Sequence, residues 1–156
     1  MDIHTGFLYN KSLRFLSFRP RSVSEMQKYL VKNKATEIQI AEIIQKLNDL
    51  SFLNDIDFAE KWVEDRKKSH PRSLNILKLE LRLKGISPEI IEEVISSRKE
   101  EGEDLIMAKT VIQKLLPKIE RLSLDEIKKK LISRLQSKGF TWEIIKVAID
   151  ESLKEV

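Results

Sequence analysis

The chain contains no cysteine among its 156 residues. Disulfide staples and thiolate metal sites are therefore excluded, and a reducing compartment is the natural setting. Glycine and proline are scarce, four of each, and a chain with so few turn formers is a poor candidate for a β-sandwich or barrel. No apolar run approaches the roughly 18 residues that a membrane helix needs. Met1–Tyr9 lacks the basic and then apolar order of a signal peptide. These absences lead us to expect a soluble, cytoplasmic protein. Charge of one sign is not dominant either: 29 Lys and Arg against 25 Asp and Glu leave +4, a weak global signal for nucleic acid. The excess is unevenly spread, at +1 over residues 1–57, −1 over 58–104 and +4 over 105–156.

Leu, Ile, Lys and Glu dominate instead, and all are compatible with helix. Charged residues make up 35% of the chain, above the usual quarter. Such a chain builds thin cores and long solvated faces, which suits a row of small helical units. A repeat is visible before any motif. Leu30–Thr36, Leu81–Ser87 and Leu135–Thr141 align without gaps, and their post-turn residues Ala35, Ile86 and Phe140 are 51 and 54 positions apart. Met26, Leu77 and Leu131 keep the same register, each nine residues earlier.

Each copy predicts a helix–turn–helix corner. Gly85 and Gly139 stand where a helix C-terminus needs a left-handed residue. Ser87 and Thr141 can cap the helix that follows, and Pro88 fits its first position. Ile40, Ile43 and Ile44, then Ile91, Val94 and Ile95, then Ile145, Ala148 and Ile149 form its buried stripe. Lys34 replaces glycine in the first copy, so that corner must cap differently or carry strain. A further helix fits upstream in each copy: Leu8–Phe18, Phe58–Arg66 and Leu105–Leu116. The fold expected is all-α, three tandem three-helix repeats over residues 1–54, 55–100 and 101–156. The segment 96–104 (SSRKEEGED) is the expected flexible joint, and Leu116-Pro117 the expected end of its helix.

Catalytic signatures are missing. His4 and His70 have no partner at ligand spacing, there is no nucleophile elbow and no glycine-rich phosphate loop. Asn54–Asp57 begins like a calcium loop but lacks its glycine and terminal glutamate, so helix capping is its expected role. We therefore expect no enzyme, no metal and no cofactor. Trp62, beside Phe58, Ala59 and Val63, is expected in the core, and Trp142, at a helix start, partly exposed.

The informative feature is basic. Arg14, Arg19 and Arg21 form one cluster. Arg66, Lys67, Lys68, His70 and Arg72 form a second, Lys128, Lys129, Lys130 and Arg134 a third. Arg82 and Lys84 lie at the second corner. Pro20-Arg21-Ser22 and Pro71-Arg72-Ser73 are also 51 residues apart, so the loop between the first two helices carries arginine twice. The third copy has Ser123-Leu124-Asp125-Glu126 there, a capping box. Stacked repeats would set equivalent loops along one edge, and arginines there suit phosphates or carboxylates.

Several stretches together resemble the RecX family, regulators of the RecA recombinase. They are Leu13–Ser22, Leu50–Asp55, Phe58–Arg66, Leu81–Ile86 and Lys138–Ile145. The resemblance covers nearly the whole chain from about Leu8, and it lies in the order and spacing of the stretches. It implies a curved array of three-helix repeats that lies in the groove of the RecA–DNA filament. There it would limit filament growth, ATP hydrolysis, strand exchange and the co-protease response of DNA repair and the SOS system. It also implies contact with single- and double-stranded DNA within the filament, no membrane partner and a monomeric regulator. Lys34-Ala35 departs from the family's Lys-Gly-aromatic corner. Two other readings remain open, a helix–turn–helix DNA-binding regulator and a helical-repeat adaptor for another protein.

Overall fold

The structure is a computed structural model that describes residues 1–154. Among them lie nine α-helices and no strand: α1 Ile3–Phe18, α2 Val23–Lys32, α3 Glu37–Asp49, α4 Asp55–Ser69, α5 Leu74–Leu83, α6 Pro88–Glu100, α7 Glu103–Ile119, α8 Leu124–Ser137 and α9 Trp142–Lys154. The all-α, three-by-three reading holds. None of these helices is long and apolar enough to cross a membrane.

The starts are set by short polar side chains. Asp2, Ser22, Thr36 and Ser123 each accept a hydrogen bond from the backbone amide three residues on, which satisfies one of the four orphan donors of a helix N-terminus. Asn54 does the same for the Asp57 amide at 3.1 Å, the capping role expected of it. Ser22 and Thr36 complete reciprocal capping boxes with Glu25 and Gln39.

The corners between second and third helices are three copies of one hydrogen-bond pattern. The amide of Lys34 donates to Val31 and that of Ala35 to Leu30. Gly85 donates to Arg82 and Ile86 to Leu81, then Gly139 to Gln136 and Phe140 to Leu135. This is the Schellman arrangement, with its left-handed residue just beyond the helix. The φ angles are 62° at Lys34, 79° at Gly85 and 85° at Gly139. Lys34 therefore keeps the geometry and carries the strain. Met26, Leu77 and Leu131, with Leu30, Leu81 and Leu135, are all fully buried at 0%, as the register requires.

Three local expectations need correction. Pro117 lies inside α7, which runs on to Ile119. The ring is exposed and in the last turn, so the unbonded carbonyl beneath it meets water, while buried Ile119 anchors the turn. Residues 96–104 are not a loose joint. They are helical except for the 101–102 turn, because Arg98 and Glu103 are buried in an ionic network with Glu64 and Lys67. Trp62 is only half-buried; Phe58, Ala59 and Val63 hold the core positions of α4.

The chain divides into two compact units, Met1–Lys61 with Leu81–Ile91, and Trp62–Glu80 with the chain from Glu92 on. Each unit contains one junction between successive repeats, joined at equivalent residues. In the first unit the Ser22 hydroxyl donates to the Lys84 carbonyl at 2.6 Å and the Val23 amide to Asp55 Oδ1 at 2.9 Å. In the second the Ser73 amide donates to the Lys138 carbonyl at 3.0 Å and the Leu74 amide to Asp104 Oδ1 at 2.8 Å. The corner glycines sit under these contacts. A Cβ on Gly85 would lie 2.2 Å from Ser24 Cβ, and one on Gly139 2.5 Å from Ile76 Cδ1.

Candidate functional site

The basic side chains divide by what surrounds them. In the first cluster Arg21 lies with its guanidinium carbon 3.7 Å from the centroid of Phe15, which itself stacks on Tyr29 at 4.0 Å. Its Nε donates to the Phe15 carbonyl. Burial lowers the Arg21 pKa, with the neighbouring Arg19 charge adding to the effect, yet an arginine stays charged at neutral pH. Arg19 is paired with Glu25. Arg14 is exposed.

The second cluster is more thoroughly neutralised. Arg72 pairs with Glu80 at 2.7 Å and donates to the His70 carbonyl. Arg66 lies over the Trp62 ring at 4.4 Å and approaches Glu80 at 3.6 Å, while the Trp62 indole N–H also donates to Glu80. Glu80 thus accepts two hydrogen bonds, from Trp62 and Arg72, and pairs with two guanidinium groups. Lys67 pairs with Glu103 at 2.9 Å. Lys68 and His70 remain exposed. Arg21 and Arg72, which share a register in the sequence, are therefore both anchored within their own units, one on an aromatic ring and one on a carboxylate. At the second corner Lys84 lies 4.0 Å from Glu25, and Arg82 is exposed.

The third cluster differs. Lys128, Lys129, Lys130 and Arg134 are all exposed. Arg134 belongs to a cavity of about 370 Å³ that Lys114, Lys118, Lys138 and His70 also line, over Val111, Leu115 and Pro71. A second cavity of about 300 Å³ shares Leu115 and Arg134 and adds Lys130, Ser133 and Ser137. Together they form a groove between α7 and α8 whose lining, among the described residues, has five Lys and Arg cations and no carboxylate. Burial lowers the Lys138 pKa, and the charges of Arg72 and Arg134 add to the effect. Lys114 and Lys118 were not singled out in the sequence, and Lys138 stands there only as the first residue of a family-like stretch. Their signal was the four-residue spacing of Lys114–Lys118 and Lys130–Arg134–Lys138, legible only once α7 and α8 are known to face each other.

The second unit lacks a carboxylate that the first supplies. Glu25, three residues after the Ser22 cap, serves both Arg19 and Lys84. The residue in the same register after Ser73 is Ile76. Lys138, the counterpart of Lys84, thus has an isoleucine where Lys84 has a glutamate.

Such a surface can hold a polyanion. Comparison with known proteins names the company it keeps. Residues 9–47 match the first three-helix domain of RecX, 54–95 the second and 102–149 the third. The Regulatory protein RecX of Bacillus subtilis (strain 168) is 39% identical over 150 residues, covering 96% of this chain and 56% of that protein. That of Bacillus pumilus (strain SAFR-032) is 37% identical over 92% of this chain and 54% of its own length. The chain thus spans little more than half the length of these relatives. A crystal structure of RecX from Lactobacillus salivarius superposes with a TM-score of 0.79 at 29% identity, covering 95% of this chain and 96% of that one. A second, of regulatory protein RecX, has a TM-score of 0.74 at 23% identity over 94% of this chain and 71% of that one, and bears on the fold alone. The chain belongs to the RecX family, whose named relatives are regulatory proteins.

Proposed function

We propose that this RecX-family chain regulates a RecA-type recombinase by binding its nucleoprotein filament and limiting filament extension, and with it ATP hydrolysis, strand exchange and co-protease activity. The observation that carries this reading is the cation-lined groove of the third repeat in a chain of this family. A filament on DNA is a dense array of phosphates, and uncompensated cations gain most from such a partner through counterion release. Lys68, Lys128 and Lys129 are further exposed cations of the same unit, and Arg14 and Arg82 are exposed cations of the first unit. Arg21 and Arg72, held by Phe15 and Glu80, act in this scheme as positioned rather than free contacts.

The action is binding rather than catalysis, carried out by a soluble protein of the cytoplasm working as a monomer without metal or cofactor. We divide the chain into repeats at 1–54, 55–100 and 101–156. The glycine corners lie against Ser24 and against Ile76 and Ser73, which favours stacking of repeats over insertion of a corner into a DNA major groove. The test is the single-stranded-DNA-dependent ATPase of RecA, titrated with this chain. Dose-dependent inhibition is expected, and no inhibition at any ratio would sink the reading.

A further inference from the structure

The two repeat junctions join equivalent residues, and one difference between them bears on Lys138, a residue that lines a groove. In the first unit Glu25 approaches Lys84 at 4.0 Å and pairs with Arg19. Burial raises the Glu25 pKa, but hydrogen bonds from Arg19 and the Ser22 amide, with the Arg19 and Lys84 charges, outweigh it and hold the carboxyl ionised below its ordinary range. In the second unit Ile76 occupies that register, and Lys138 and Arg134 line the cavity between α7, α8 and the Ser69–Pro71 loop. Lys114 and Lys118 stand one turn apart on the α7 wall. Lys130, Arg134 and Lys138 follow one another along α8 and its cap, at steps of about 6 Å along the helix axis. Two rows of cations thus face each other across a floor of Val111 and Leu115.

We propose that this groove of the third repeat is a binding site for a single nucleic-acid strand, its phosphates between the two cation rows and its sugars or an unstacked base on Val111, Leu115 and Pro71. Rows of cations at regular intervals suit a ligand whose charges also recur at regular intervals. The apolar floor distinguishes a single strand from a duplex, because only an unpaired strand has base faces to offer. The choice of a nucleic acid over another polyanion rests on the proposed function; the groove and its charge do not. In the filament this site would engage the strand that the recombinase holds, or one that it displaces.

The experiment is fluorescence anisotropy of a labelled oligodeoxythymidine with the full chain and no recombinase, repeated over a range of salt. Wild-type binding should weaken with salt, and each lysine removed from the groove should reduce the slope of log affinity against log salt by about 0.7. Lys114→Gln with Lys118→Gln therefore lowers it by about 1.4. Lys28→Gln with Lys32→Gln, which removes the same charge from the exposed face of α2, should leave the slope unchanged. Ile76→Glu, which restores the carboxylate of the first junction, should weaken binding without removing any cation. Equal effects from the groove and α2 pairs, an unchanged slope in the groove pair, or equal competition by a duplex or by polyglutamate would overturn the proposal. Helicity measured in parallel separates lost binding from lost fold. The same variants titrated into the RecA ATPase keep the two ideas distinguishable. A wild-type chain that binds the oligonucleotide through the groove but never inhibits RecA refutes the regulator and leaves the groove standing.

Discussion

Replacing Lys34 by glycine should stabilise the first unit. Lys34 adopts φ 62° at the left-handed position of its corner, where its amide and that of Ala35 make the same two bonds as the glycine corners. A side chain held in the left-handed region costs about 1–2 kcal/mol. The greater freedom that glycine gives the unfolded chain returns about 0.4–1 kcal/mol of this. The difference is a net gain of about 0.5–1 kcal/mol, which at this size raises Tm by about 1–4 °C. Lys34 is exposed and its side chain has no ion-pair partner among the described residues, so its loss subtracts little. Thermal and urea unfolding of the full chain measure the gain. Lys34→Ala is the control, since it removes the same charge and keeps the Cβ; it should bring no gain. A glycine variant no more stable than wild type, or an alanine variant equally stabilised, would refute the reasoning.

The other expectations follow from the same geometry. Gly139→Ala should destabilise by more than about 2 kcal/mol, since left-handed strain of about 1–2 kcal/mol adds to a Cβ placed 2.5 Å from Ile76 Cδ1 and 2.6 Å from Ser73 Oγ; denaturant unfolding measures it, and a neutral result would mean that the corner does not bear on the junction. Leu131→Ala, at a fully buried site, should cost about 2–5 kcal/mol, read from the same unfolding curves. The Arg98 hydrogen bond holds the Glu64 pKa below its ordinary range, against the opposing effect of burial and with help from the charges of Arg98, Lys67 and Lys68. A depressed folded pKa means stability present above the unfolded value and lost as pH falls through the folded one. Unfolding midpoints measured from neutral to acid pH should therefore fall less steeply in Glu64→Gln than in wild type.

Much of the fold was legible because the repeat writes it three times. Periodicity placed Met26, Leu77 and Leu131 in the core, and turn chemistry placed Gly85 and Gly139 in left-handed corners. What failed was local signal overruled by packing. Pro117 reads as a stop, yet Ile119 beyond it is buried and holds the helix. The polar run 96–104 reads as a joint, yet Arg98 is paired with Glu64 at 2.7 Å. Trp62 reads as core because it is large and sits among apolar neighbours, but its indole N–H needs an acceptor, and Glu80 supplies one at the surface. Ser51 takes a left-handed φ of 60° that no glycine announced.

The candidate site was less legible. Charge counts place the basic excess after residue 105, and Lys130 and Arg134 are found that way. A sequence cannot tell a cation with a partner from one without. Arg21 and Arg72 stand out by their shared register, yet their surroundings are an aromatic ring and a carboxylate. Lys138 reads in the sequence only as the start of a family-like stretch and becomes informative beside Lys84, through a glutamate present in one junction and replaced by Ile76 in the other.

The central claim is that this chain acts on the recombinase filament itself. Electron microscopy of RecA filaments on single-stranded DNA, with and without the chain, tests it most directly. The account predicts shorter or fewer filaments, with the protein bound along those that remain. Filaments of unchanged length and number with no protein bound would contradict it.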